Sequence, residues 1–103
     1  PEIFFYDPLG AQFQAVGFAA SGSGALTIRS VLSFQERFGT PPPSHLELPE
    51  AVRLALRILM VAAEYDSATG GVAPDAARFA TIKVLSPEGI QSVSETDQSR
   101  WIA

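Results

Sequence analysis

The sequence predicts an α+β fold in which a β-hairpin is followed by two helices and then a second β-hairpin. Three observations support this order. Apolar and polar residues partly alternate near the start, two long central segments carry apolar residues at helical spacing, and two short apolar runs near the end are joined by a turn sequence. At 103 residues, the chain has the size of one domain or of part of one.

The first hairpin is predicted from two apolar runs, Ile3 to Asp7 and Ala11 to Ala20, with Pro-Leu-Gly between them. In the second run, one side carries Phe13, Ala15 and Gly17, and the other carries Gln12, Gln14 and Val16. This partial alternation is typical of a strand. The intervening Pro-Leu-Gly is a turn signal. The two runs should therefore pair antiparallel.

The first helix is predicted from Gly22 to Phe38, because its apolar residues recur at the spacing of one helical face. Gly39 is a natural residue for the C-terminal boundary. Ser23 is expected to cap the start of the helix, while its glycine neighbours let the chain turn. A phosphate-binding loop is an alternative, but neither the dinucleotide nor the Walker pattern is present.

The second helix is predicted from Pro49 to Asp66, after three consecutive prolines that exclude a helix. Its polar residues form one narrow stripe, and apolar residues cover the remaining sides. A helix of this kind is buried on most sides, so the pattern indicates more protein around it. The stripe consists of Glu50, Arg53, Arg57 and Glu64, interrupted by Met60 and Val61.

The second hairpin is predicted from the runs Phe79 to Leu85 and Ile90 to Val93. The sequence Ser-Pro-Glu-Gly between them is typical of a type I turn.

The composition excludes several function classes. Lys and Arg total 7, are scattered, and leave a net charge of -4, which argues against nucleic-acid binding. No apolar run reaches the roughly 18–20 residues of a membrane span, and no secretion signal is recognisable. Cysteine is absent, which removes disulfides, thiol nucleophiles and Cys-based metal sites. The one histidine, His45, is predicted to be a solvated loop residue, and neither a metal nor a cofactor is expected.

Charge is scarce for a domain of this size. Hydrophobic residues make up 47% and charged residues 17% of the chain, against roughly 25% charged in a typical soluble domain. A small domain has a large surface to keep hydrated. Part of the surface is therefore predicted to be covered by a partner or by further chain.

The segment "DSATGG" that begins at Asp66 is the main candidate site. A carboxylate at a helix C-terminus is unfavourable by roughly 0.3–1 kcal/mol. A left-handed cap at Gly70 or Gly71 would explain the glycines, but it would not explain Asp66, Ser67 and Thr69 together. A compensating hydrogen-bond network would, and such networks are common at functional sites.

Three motifs in this order resemble the C-terminal half of a bacterial, actinobacterial-like proteasome β-subunit. They are "GSG" after a strand, Arg29-Ser30, and then "AVRLALRILMVAAEYDSATGG". The resemblance covers nearly the whole chain, and "DSATGG" is highly specific in this context. The family has the N-terminal-nucleophile (Ntn) hydrolase fold. The resemblance therefore implies a portion of a four-layer αββα sandwich, with residues 1–103 as the C-terminal half of the domain.

The resemblance also implies a threonine-type endopeptidase. In this family the nucleophile is the hydroxyl of an N-terminal threonine, and its own α-amino group serves as the base. That threonine motif is not in this sequence, so the 103-residue chain alone is expected to be inactive. The residues that match supporting positions of the family are Ser23, Asp66 and Thr69, with Gly22, Gly24, Gly70 and Gly71 shaping the turns.

The partners implied by the resemblance are other β-subunits in a heptameric ring, an α-subunit ring and a regulatory ATPase. The implied substrates are unfolded polypeptides, degraded in the cytoplasm. Two alternatives remain within this frame: a noncatalytic ring subunit and another Ntn hydrolase. A third uses Pro1 as a tautomerase-type base, but the predicted element order does not match the short β-α-β chains of those enzymes.

Overall fold

The computed structural model describes residues 3–6, 12–15, 18–66 and 78–102. The fold is an α+β mixture, as predicted, with one helix more than expected. In chain order, the elements are strands β1 (Ile3–Tyr6) and β2 (Gln12–Ala15), helix α1 (Ala25–Phe38), a 3₁₀ turn (Pro43–His45), helix α2 (Leu48–Tyr65), strands β3 (Lys83–Ser86) and β4 (Gly89–Ser92), and helix α3 (Glu95–Ile102).

Both predicted hairpins are present, and both are antiparallel. In the first, Ile3 lies opposite Ala15. In the second, Lys83 lies opposite Ser92. The ladder of the second hairpin is shorter than predicted, since the run that begins at Phe79 joins β3 only at Lys83.

The turn of the second hairpin is set by its proline and its glycine. The ring of Pro87 fixes a negative φ, which excludes the mirror-image turns that need a positive φ at that position. Gly89 follows with a φ of +118°, a conformation that favours glycine. The Ser-Pro-Glu-Gly sequence therefore turns the chain as its residue types indicate.

Helix α1 begins at Ala25, three residues later than predicted. The prediction that Ser23 caps it is wrong, because the N-cap position is Gly24 and no side chain caps the helix. The chain turns at Gly22, whose φ is +97° and whose carbonyl accepts a hydrogen bond from the Ala25 N–H at 3.2 Å. The glycine supplies the left-handed conformation that this turn requires.

Helix α1 ends at Phe38, as predicted, but Gly39 is present for a different reason from the one expected. Its φ is -70° and its backbone is extended, so no left-handed cap forms. A Cβ at this position would collide with the carbonyl oxygen of Gln35. That oxygen accepts a hydrogen bond from the Gly39 N–H at 2.7 Å, so the close approach itself requires glycine.

Helix α2 begins at Leu48, with Pro49 in its first turn, and ends at Tyr65. Its buried residues are Val52, Leu56, Ile58 and Ala62. Met60, Val61 and Tyr65 are exposed in the chain by itself. The helix thus buries one face here, while several of its other apolar side chains stay uncovered.

Helix α3 was not predicted, because no element was assigned after the strand that ends at Val93. The Ser94 Oγ accepts a hydrogen bond from the Asp97 N–H at 3.1 Å, which is the capping arrangement at a helix start. Glu95 and Asp97 lie in the first turn and Arg100 in the last, each at the end of the helix where its charge is favourable. The capping serine and the charges at the two ends of α3 could therefore have indicated this helix from the sequence.

The core lies where α3 packs on α2. Val52 and Leu56 of α2 are buried at its centre. The partly buried residues around them come from α2, from the segment before β3, from the residue after β4 and from α3; they are Leu59, Ala80, Ile82, Val93, Trp101 and Ile102.

Gln98 of α3 is the buried polar residue of this core, at 1% exposure. Its Oε1 accepts a hydrogen bond from the Ala80 N–H at 3.1 Å, and its Nε2 donates to the Ala80 carbonyl at 2.8 Å. Nε2 also lies 3.4 Å from the Val93 carbonyl. One side chain thus satisfies both backbone groups of Ala80, as a buried polar site requires.

We expect the substitution Gln98→Ala to destabilise the protein by about 1–3 kcal/mol, because it leaves the buried N–H and C=O of Ala80 without their partner. Urea unfolding of the full-length protein measures this. Gln91→Ala, at an exposed position of β4, is the matched control and should lie within about 0.5 kcal/mol of wild type. Equal effects of the two substitutions would contradict the role given to Gln98.

Candidate functional site

Helices α1 and α2 pack against each other, and only residues 39–47 connect them. A short connection between packed helices favours an antiparallel pair. In such a pair, the beginning of α1 and the end of α2 lie at the same end.

Ser23 lies in the turn that precedes α1 and is exposed. Its neighbour Gly22 is also exposed, whereas Gly24 is buried where the helix begins. Because Ser23 does not cap α1, its hydroxyl is not held by the helix start. The glycines on both sides fix the path of the backbone here, and the serine side chain projects from it.

Asp66 occupies the C-cap position of α2, with extended backbone angles (φ -141°, ψ 105°). It is half-buried, and the last turn of α2 contains no basic residue that would offset its charge. Asp66 nevertheless interacts with another group in the structure. Asp66 thus combines partial burial with the unfavourable end of the helix dipole, and its role in a network with Ser23 and Thr69 stays a prediction.

The remaining predicted site residues lie outside the residues that the structure describes. They are Ser67, Thr69, Gly70 and Gly71, together with Pro1 of the tautomerase alternative. Their contacts with Ser23 and Asp66 stay predictions.

The polar stripe of α2 has a structural role that the sequence did not reveal. Arg53 Nε donates a hydrogen bond to the Trp101 carbonyl at 2.7 Å, and Arg57 Nη2 lies 3.4 Å from the Ile102 carbonyl. These are the last carbonyls of α3, where positive charge is favourable. The two arginines therefore tie α3 to α2.

Residues 3–6, 12–15, 18–66 and 78–102 contain no group of three or more His, Cys, Asp or Glu side chains placed to hold a metal ion. Among the helices in these ranges, none has both the length and the apolar character needed to cross a membrane.

The chain is similar to several curated proteins named proteasome subunit beta. It is 34% identical over 99 residues to the protein of Streptomyces griseus. It is 36% identical over 97 residues to that of Stackebrandtia nassauensis, and 36% identical over 95 residues to that of Acidimicrobium ferrooxidans. These alignments cover 90–94% of the chain. Over nearly its whole length, the chain therefore matches one segment of proteasome β-subunits.

The alignments cover 32% of each of these three relatives, so the chain spans about a third of the length of the β-subunits it matches. No family model matches the chain. The similarity includes nearly all of the residues present, among them the turn before α1 and the end of α2. The resemblance expected from the "GSG" and "DSATGG" motifs is thereby confirmed.

Proposed function

We propose that this chain is part of the catalytic domain of a threonine-type endopeptidase, a proteasome β-subunit that degrades unfolded polypeptides in the cytoplasm. In this proposal its elements belong to the four-layer αββα sandwich of the Ntn hydrolases, with α1 and α2 in one outer layer. The observation that carries the proposal is that Asp66 is half-buried at the C-cap of α2, within a chain similar to proteins named proteasome subunit beta.

The supporting network would consist of Ser23, Asp66 and Thr69. The antiparallel packing of α1 and α2 favours it, because the turn with Ser23 and the cap with Asp66 lie at the same end of the pair. Asp66 would accept hydrogen bonds from the two hydroxyls and from the α-amino group of an N-terminal threonine. Charge-assisted hydrogen bonds of this kind are stronger than neutral ones and would offset the unfavourable position of Asp66 at the helix terminus.

The chemistry would follow the N-terminal threonine pattern. The α-amino group takes the proton of the threonine hydroxyl, directly or through a water molecule, and the oxygen attacks the peptide carbonyl. Asp66 favours the protonated amine that forms in this step. The nucleophile would come from sequence outside these 103 residues, so this chain contributes positioning and electrostatics.

Ring assembly is the second part of the proposal. Several large apolar side chains are exposed in the chain by itself, including Leu26, Phe34 and Phe38 of α1 and the cross-strand pair Leu85 and Ile90. With charged residues at 17%, this surface is typical of a protein covered by neighbours. The proposed neighbours are other β-subunits in a heptameric ring and an α-subunit ring, with a regulatory ATPase that delivers substrates.

Hydrolysis of a fluorogenic peptide tests the proposal. We expect turnover from the full-length protein in its assembled form, and inhibition by a threonine-directed covalent inhibitor. The 103-residue chain alone should show none, because the nucleophile is not among its residues. Inhibitor-sensitive turnover by the 103-residue chain, or no turnover by the assembly, would contradict the proposal.

A further inference from the structure

A small cavity lies between the end of α1, the proline-rich loop and the first half of α2. Its volume is about 210 Å³, below the roughly 300 Å³ at which pockets for drug-sized ligands begin. Its lining includes the polar residues Gln35, Thr40 and Glu50 and the apolar residues Pro41 and Leu54. The cavity is therefore suited to a group about the size of one amino acid.

Arg53 and Arg57 of α2 also line this cavity. Each guanidinium has five N–H donors, and within the described part of the chain these two groups donate to the uncharged carbonyls of Trp101 and Ile102. The ion pair found in the described part of the chain joins Arg100 to Asp97 and involves neither of them. Two arginine side chains thus line one cavity, and among the described residues of its lining Glu50 is the acidic one.

This imbalance is unusual in a chain with 7 basic residues and a net charge of -4. Arg53 and Arg57 are one turn apart on the same helix face, so both can reach one anion. Guanidinium groups bind carboxylates through paired hydrogen bonds. The proline and leucine surface opposite them favours an apolar group attached to the anion.

We propose that this cavity binds a small carboxylate with an apolar body. Arg57 contacts the carboxylate from the exposed side, and Arg53 reinforces it from the partly buried side while it keeps its bond to α3. Thr40 and Gln35 donate further hydrogen bonds at the rim. Two sources share this chemistry: a free short-chain carboxylic acid, and the terminal carboxylate of a peptide that ends in an apolar residue.

The test is isothermal titration of the full-length protein in its assembled form with three probes. They are hexanoate, the peptide Ala-Ala-Ala-Leu with a free carboxylate, and the same peptide as its C-terminal amide. We expect binding of at least one of the two carboxylates in the millimolar range or tighter, weakened by added salt because the contacts are ionic. The amide should bind at least 10-fold more weakly than the acid.

Variants locate the site. Arg57→Gln should weaken carboxylate binding about 10-fold, which corresponds to about 1.4 kcal/mol. Its contact with Ile102 is long, so the fold should tolerate the change. Arg29→Gln, an exposed arginine of α1 outside the cavity, is the matched control and should bind as wild type does.

Each outcome of these titrations either supports or overturns the proposed carboxylate site. Binding of the acid peptide but not the amide supports the proposal with a peptide terminus as ligand, and binding of hexanoate alone supports it with a free acid as ligand. No binding of either carboxylate, equal binding of acid and amide, or equal loss in the Arg57 and Arg29 variants would overturn it. Peptidase activity is not the readout, so failure here leaves the proposed function standing.

Discussion

Replacing Asp66 with Asn in the full-length protein should lower the rate of peptide hydrolysis by about 100-fold or more, the magnitude found when one preorganised electrostatic group is removed from an active site. The amide keeps the size of the carboxylate but loses its charge. It can no longer favour the protonated amine, and it places a donor where the network needs an acceptor. The loss should appear in kcat with KM nearly unchanged, because the substrate contacts are retained.

Glu64→Gln is the matched control for this prediction. Glu64 lies two residues earlier, on the exposed surface of α2, and loses the same charge on substitution. We expect its activity to stay within twofold of wild type. Full activity of the Asp66→Asn variant, with intact ring assembly on size-exclusion chromatography, would favour the noncatalytic ring subunit over the peptidase.

The substitution Leu56→Ala should destabilise the protein by about 2–5 kcal/mol, the range for removing a large aliphatic side chain from a packed core. Leu56 is 0% exposed and lies at the centre of the contact between α2 and α3. The cavity left behind cannot be filled by its neighbours without moving a helix. Denaturant unfolding at fixed protein concentration measures the effect, since the stability of an oligomer depends on concentration.

Met60→Ala distinguishes core packing from helix propensity in this prediction. Met60 lies one turn further along α2 and is 42% exposed, and alanine is the better helix former. Its substitution should cost less than about 1 kcal/mol in the isolated chain. If both variants unfold at the same denaturant concentration, Leu56 is not the centre of the core.

The sequence predicted the two central helices best, because their apolar residues follow one helical face over several turns. The ends of these helices were less certain, and Ser23 shows why. A serine before a helix usually caps it, but the two glycines beside Ser23 allow a turn in which Gly24 takes the cap position instead. Local propensity decides such details weakly when the backbone has several accessible conformations.

Helix α3 was missed for a different reason. Its apolar residues, Trp101 and Ile102, come only in its last turn, so it has too little periodicity for a helix of eight residues. What identifies it is its ends: the serine cap at Ser94 and the charges that match the helix dipole. Its docking depends on Gln98 and on Arg53 of α2, with a longer contact from Arg57. Such long-range polar contacts leave no periodic signal in the sequence.

The candidate site also combines residues that the sequence singled out with residues whose role it did not reveal. Asp66 stood out in the sequence because its charge opposes the end of its own helix, and the structure places it there, half-buried at the C-cap of α2. By contrast, Arg53 and Arg57 were part of the narrow polar stripe of α2, and the sequence indicated no particular role for them. Their role became visible only when α3 packed beside them, because the carbonyls that they bind lie 45 residues or more away in the chain.

The most direct test of the proposed function is mass spectrometry of the assembled protein after treatment with a threonine-directed covalent inhibitor. The proposal predicts one inhibitor adduct per β-subunit. The adduct should lie on an N-terminal threonine of a polypeptide that assembles with, or includes, the present sequence, and its formation should coincide with loss of peptide hydrolysis. An assembly that contains this sequence, carries no N-terminal threonine and forms no adduct would contradict the assignment of a threonine peptidase.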